Sequence, residues 1–180
     1  MKHENQSVKN WEKLLSPELV RANLLVASLY LSAFEILKSS IVERIENFFT
    51  NYVNGQRQRD ARYQDVKQLD KSELKASCLW LEQMGAITSS DTVMVDVIRQ
   101  HRNKIAHELP EFLSNDSCNI DLEAFKDMLH LLRKIETWWI KEFELSINPD
   151  FDGVEVADED IQPGSVLVLE HIIKLALDQA

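Results

Sequence analysis

From Leu19 to Phe49 the residues Leu19, Leu24, Leu25, Leu29, Phe34, Leu37, Ile41, Ile45, Phe48 and Phe49 recur at helical spacing, with no glycine or proline between them. A period near 3.6 residues lines such side chains along one side of a helix, which then has to be buried against other elements. Ser16 and Pro17 supply a start, because a serine hydroxyl can accept an orphan amide and proline is tolerated at the first helical position. Asn54-Gly55 supplies a stop, so the pattern predicts a helix over 17–53, or two helices broken near Ser39-Ser40.

The same signals recur downstream. Asp70 with Glu73 three residues on reads as a capping box, opening a helix over 70–84 through Leu74, Leu79, Trp80 and Leu81 that ends at Gly85. Ser89, Ser90 or Asp91 can cap a third helix over 90–108, through Met94, Val97, Ile98, His101 and Ile105, which has to finish before Pro110. Residues 111–119 read as a loop. Asp121 opens a fourth helix over 121–147, with Leu122, Phe125, Leu129, Leu132, Ile135, Trp139 and Phe143 on one face. Asp152-Gly153 then reads as a turn, Asp158-Glu159-Asp160 as an acidic run, and Pro163-Gly164 precedes a last helix over 165–178 through Val166, Leu169, Ile172, Ile173 and Leu177. No β-type alternation stands out, so the expected class is all-α. Residues 1–149 read as a helical domain of four principal helices, and 150–180 as an acidic arm with one appended helix.

A length of 180 residues and an apolar share of 44% suit one compact domain. No apolar run approaches the roughly 20 residues of a membrane span. The start of the chain, with Lys2, Glu4, Lys9, Glu12 and Lys13, does not read as a secretory signal, so a cytoplasmic protein without a membrane partner is expected. Cys78 and Cys118 lack motif spacing and read as reduced thiols. The four glycines lie at least eleven residues apart, too far for a P-loop or a dinucleotide-binding turn. His3, His101, His107, His130 and His171 show no metal-ligand spacing with one another or with the cysteines, and no metal or cofactor is expected.

A formal charge of -10 counts against a phosphate backbone as partner, but the charge is unevenly spread. Residues 1–110 carry 15 Lys+Arg against 14 Asp+Glu, whereas 111–180 carry 5 against 16. Arg57, Arg59, Arg62, Lys67, Lys71 and Lys75 form a mild local basic excess, readable as a solvated mixed face or as an RNA contact.

The densest group of chemistry-bearing residues runs from Arg99 to His107. At 100° per residue, Met94, Ile98, His101 and Ile105 fall within about 60° and form the inward stripe, which makes His101 a core or boundary residue. Asp96, Arg99, Asn103 and His107 fall within about 80° on the opposite, polar side. One reading is a charged helix end whose Lys, Arg and His meet the C-terminal dipole. The other is a functional site.

Arg102-Asn103-Lys104-Ile105-Ala106-His107 resembles the signature of the HEPN superfamily, the higher eukaryote and prokaryote nucleotide-binding domains: an arginine, a polar residue after it, and a histidine four to six residues on. The position late in the third helix of an all-α chain is also similar to the family's four-helix, up-and-down arrangement. The resemblance implies metal-independent RNA cleavage, often by toxins of toxin-antitoxin pairs or by defence effectors, although other members are inactive binding domains. It implies that His107 acts as general base or acid at the ribose 2′-hydroxyl and leaving oxygen, a role suited to imidazole. Arg102 would stabilise phosphate charge and Asn103 would orient His107. Arg99 and Lys104, with Arg57, Arg59 and Arg62, are the candidate RNA contacts.

Arg102 and His107 lie about 140° apart around a regular helix, so either the helix end unwinds or a second chain completes the site. The resemblance implies a homodimer with paired motifs in one cleft, and an antitoxin protein as a further partner. Trp138 and Trp139 read as core or as part of such an interface. A non-catalytic helical module that binds a nucleotide or protein partner is the alternative.

Overall fold

The computed structural model describes residues 11, 14 to 115 and 121 to 178. The readings made for the first residues of the chain and for Cys118 lie outside the described residues. The described residues are predominantly helical, with one two-stranded sheet among them: α1 (Pro17–Phe48), β1 (Thr50–Val53), β2 (Gln56–Arg59), α2 (Tyr63–Gln68), α3 (Glu73–Gln83), α4 (Ser89–His107), α5 (Leu109–Ser114), α6 (Leu122–Trp139) and α7 (Gly164–Asp178).

α1 begins at Pro17 as expected and is unbroken at Ser39-Ser40, but the Ser16 side chain makes no capping bond. It also stops five residues short of Val53. Thr50 to Val53 instead pairs antiparallel with Gln56 to Arg59, in the register Thr50↔Arg59 and Val53↔Gln56. Asn54 and Gly55 form the two-residue turn, both with positive φ (52° and 75°). A left-handed Asn-Gly pair serves a helix stop or a tight hairpin equally well; the β-branched and aromatic residues Thr50, Tyr52 and Val53 are compatible with the hairpin, and pairing with Gln56 to Arg59 forms it. Its eight strand residues include only one, Thr50, that is not exposed, which is why no inward-outward alternation marks them. By length and composition α1 is also apolar enough to cross a membrane, contrary to the expectation above; half of that stretch is buried inside the protein.

Two caps differ from the expected ones. α3 is capped by Ser72, whose Oγ accepts from Lys75 N (3.5 Å), while Asp70 Oδ1, two residues before the cap, accepts from Ser72 N (2.8 Å). α4 is capped by Thr88 in a capping box with Asp91, so Asp91 is the reciprocal partner rather than the cap. Other ends match their signals. Gly85 (φ 78°) terminates α3 with Ala86 N donating to Leu81 O (2.9 Å) and Gly85 N to Glu82 O (3.1 Å), the paired bonds of a Schellman ending. Asp121 Oδ1 accepts from Glu123 N (3.0 Å) and Ala124 N (3.1 Å). The expected loop after Pro110 is in part α5, because proline fits a first helical turn. α6 passes into a π-helical segment, Ile140–Leu145, rather than staying α-helical to 147.

α1 packs against α3, α4 and α6, and α4 against α3 and α6. Leu37, Ile41 and Ile45 of α1, Leu81 of α3, Ile98 and Ile105 of α4, and Leu132 and Ile135 of α6 are fully buried. α2 adds Tyr63 and Val66, and α7 adds Val166 and Leu169 to the same core, whereas Ile172 is exposed. Trp139 is core: its ring stacks on Trp80 (6.1 Å between centroids, 23°). Trp138 is half-buried, edge-on to Trp80 and Phe143. Glu136, 6% exposed, accepts from Ser40 and Arg44, and Arg44 also pairs with Glu144 of the π-helical segment. This polar network ties α1 to α6 through a buried carboxylate.

Candidate functional site

α4 remains regular through His107, with Glu108 N donating to Lys104 O (2.8 Å). The helix end therefore does not unwind to bring His107 onto the side of Arg102. Ile98 and Ile105 anchor the inward stripe at 0% exposure, and Met94 packs against the core, as the spacing required. That register turns Arg102 toward α1 and leaves His107 exposed on the last turn.

The Arg102 guanidinium sits over the Phe34 ring (5.5 Å to the centroid) and donates from Nη2 to Glu35 Oε1 (2.7 Å) and from Nη1 to Asn103 Oδ1 (3.4 Å). Its Nε is buried without a hydrogen-bond partner among the described residues. Asn103 thus braces Arg102, and no hydrogen bond joins it to His107 among the described residues. Phe34 and Glu35 are the site residues that sequence reasoning missed. Glu35 lies 67 residues from Arg102, and nothing local to either residue signals the pairing.

His101 is a structural residue. Its Nε2 accepts from Asp121 N (3.0 Å) at the start of α6, and its ring stands edge-on to Tyr30 (5.0 Å) and Phe112 (6.1 Å). Burial holds its imidazole below the usual value, against the opposing pull of the Asp121 carboxylate. The accepting Nε2 requires the neutral ring. Burial and the Asp121 carboxylate likewise push the Tyr30 phenol up. Burial and Glu82 push the Cys78 thiol up to about 12, so it stays protonated and inert.

The candidate RNA contacts fall into two groups. Arg102 is tied to Glu35, whereas Arg59 is tied to Glu46, eleven residues and about 16 Å further along α1. Arg57 donates to Asn47 Oδ1 (3.0 Å) near Glu46 (3.8 Å), and Arg59 also lies over the Tyr63 ring (4.9 Å). Arg62 grips Asp60 through Nε and Nη2, and those bonds hold the Asp60 carboxyl at about 2. Arg99 grips Asp96 in the same two-pronged way, and Lys104 is exposed. A groove of about 210 Å³ along α1 is lined by the carboxylates of Glu35, Glu43, Glu46 and Glu73 against the cation Lys38, with Ser39 and Val42. Its charge is the wrong sign for a phosphate track from Arg102 to the hairpin arginines. Among the described residues no group of three or more His, Cys, Asp or Glu is arranged to hold a metal ion. Comparison of the chain with protein-family models, with curated proteins and with solved structures gives no match in any of the three.

Proposed function

We propose that this protein is a metal-independent endoribonuclease of HEPN type, acting as a toxin or defence effector. In this reading α1, α3, α4 and α6 form the family's four-helix, up-and-down arrangement, α7 is an addition, and two copies of the chain pair their motifs in one cleft. The observation that carries it is the state of Arg102. A guanidinium held over Phe34 and bonded to Asn103, with Nε left unpaired at the motif's arginine position, is suited to a phosphate oxygen.

One His107 takes the proton of a ribose 2′-hydroxyl, the 2′-oxygen bonds to the adjacent phosphorus, and the bond from phosphorus to the 5′-oxygen breaks. The partner's His107 returns a proton to that leaving oxygen, and the products are a 2′,3′-cyclic phosphate and a 5′-hydroxyl. Arg102 stabilises charge on the phosphate. Two histidines dividing these roles agree with the divergence of Arg102 and His107 within one chain. RNA and a second copy of the chain are the partners, with an antitoxin protein as a third.

The second reading is a non-catalytic helical module that binds a nucleotide or protein partner. Its support is that Arg57, Arg59, Arg62, Arg99 and Arg102 are each paired with a carboxylate of the same chain. Purified protein incubated with single-stranded RNA, with and without EDTA, separates the two. Cleavage that survives EDTA and disappears in Arg102→Ala and His107→Ala supports the ribonuclease. Intact RNA at all enzyme concentrations, or cleavage retained in both variants, refutes it.

A further inference from the structure

Among the arginines paired with carboxylates, Arg62, Arg99 and Arg102 differ in how Nε and Nη2 are used. Arg62 and Arg99 present Nε and Nη2, the long edge of the guanidinium, to Asp60 and Asp96 respectively, and both nitrogens of that edge are bonded. Arg102 donates to Glu35 from Nη2 alone, and its Nε is left buried without a partner among the described residues. A buried donor left unbonded is costly, so an edge half filled by its own protein favours any anion that fills it. Glu35 is half exposed, at 50%, and its other oxygen already lies 3.9 Å from Lys38 Nζ, a cation that can hold the carboxylate when it leaves Arg102.

We infer that Glu35 is an intramolecular competitor for the phosphate position on Arg102, displaced when an RNA phosphodiester occupies the Nε and Nη2 edge. The inference rests on the ribonuclease reading for its ligand, and it adds a regulation of the site: the empty site is held closed by a carboxylate of the same charge as the substrate. A phosphate has two oxygens spaced for that edge, whereas Glu35, arriving from the neighbouring helix, reaches one nitrogen. Its negative charge opposes the incoming phosphate until it lets go of Arg102 and keeps Lys38 alone as its partner. Affinity for RNA is thereby lowered, and so is occupancy of the site by weaker, single-charge anions.

The test is Glu35→Gln, which keeps the shape of the side chain and its acceptor oxygen but removes the charge. Binding is measured by fluorescence anisotropy of a labelled single-stranded RNA oligonucleotide made uncleavable by 2′-O-methylation, with inorganic pyrophosphate as a competing probe. Removing one like-charge contact at a partly exposed site is expected to tighten RNA binding about tenfold at low salt, with a smaller gain as salt is raised. In an Arg102→Ala background the same substitution is expected to give no gain. A Glu35→Gln protein that binds RNA and pyrophosphate no tighter than wild type overturns the inference, as does an equal gain in the Arg102→Ala background. Cleavage of unmodified RNA is scored separately. Loss of the ribonuclease reading therefore shows as absent cleavage, and loss of this inference as an unchanged dissociation constant.

Discussion

Replacing His101 with alanine tests whether this half-buried histidine is a structural tie between α4 and α6 rather than part of the chemistry next to it. The substitution removes the acceptor for Asp121 N and two edge-on ring contacts, to Tyr30 and Phe112. A net hydrogen bond contributes about 0.5 to 1.5 kcal/mol, and each aromatic pair a similar amount. The Asp121 amide lies at an exposed site where water can replace the lost acceptor, so the total falls at about 2 to 3 kcal/mol. In a chain of this size that lowers Tm by roughly 5 to 10 °C. Urea unfolding followed by tryptophan fluorescence and circular dichroism measures it directly.

The same residue sets a pH dependence with a definite sign. The folded-state pKa of His101 is depressed, so below the unfolded value of about 6.5 the unfolded chain takes up the proton first. The contribution is fully present above that value and is lost as pH falls through the lower folded value. His101→Phe keeps ring packing without a titrating nitrogen, so stability of wild type minus that of His101→Phe should fall as pH drops from 7 to 5. Stability of His101→Ala within about 0.5 kcal/mol of wild type, or a difference that stays flat over that pH range, would refute the reasoning.

Arg102→Ala and His107→Ala should abolish RNA cleavage while retaining the wild-type circular dichroism spectrum and a Tm within a few degrees; a His107→Ala protein that melts early but keeps its activity per folded molecule assigns His107 to the helix end alone. Glu136→Ala should lower stability by about 2 to 4 kcal/mol in urea unfolding, because Arg44 and Ser40 lose a buried partner, and Glu136→Gln should lose less. Gly55→Ala should cost about 1 kcal/mol in the same assay, since φ of 75° is strained for a side chain; an unchanged midpoint would mean that the hairpin contributes no stability. Light scattering at micromolar concentration should give a dimer mass, and a strict monomer with full cleavage activity would remove the two-chain site.

Short-range physics made much of this protein legible. The helical class, the start at Pro17, the cap at Asp121, the stop at Gly85 and the inward stripe of Ile98, His101 and Ile105 all follow from groups within a turn of one another. Asp60-Arg62 and Asp96-Arg99 are pairs of the same local kind. Where two local outcomes share one signal, the residues alone did not choose. Asn54-Gly55 suits a helix end or a hairpin, and the pairing of Thr50 to Val53 with Gln56 to Arg59 makes it a hairpin; the spacing of Asp70 and Glu73 predicts a start of α3 at Asp70, whereas the cap is Ser72, with Asp70 accepting from Ser72 N. Beyond the adjacent Asn103, the surroundings of Arg102 belong to the tertiary structure. Phe34 and Glu35 reach it only because the buried faces of α1 and α4 pack together, fixing the rotation of both helices. The motif could be read from six consecutive residues, but the carboxylate held against its arginine could not, because an ion pair across 67 residues is set by the packing of apolar faces and leaves no period in the sequence.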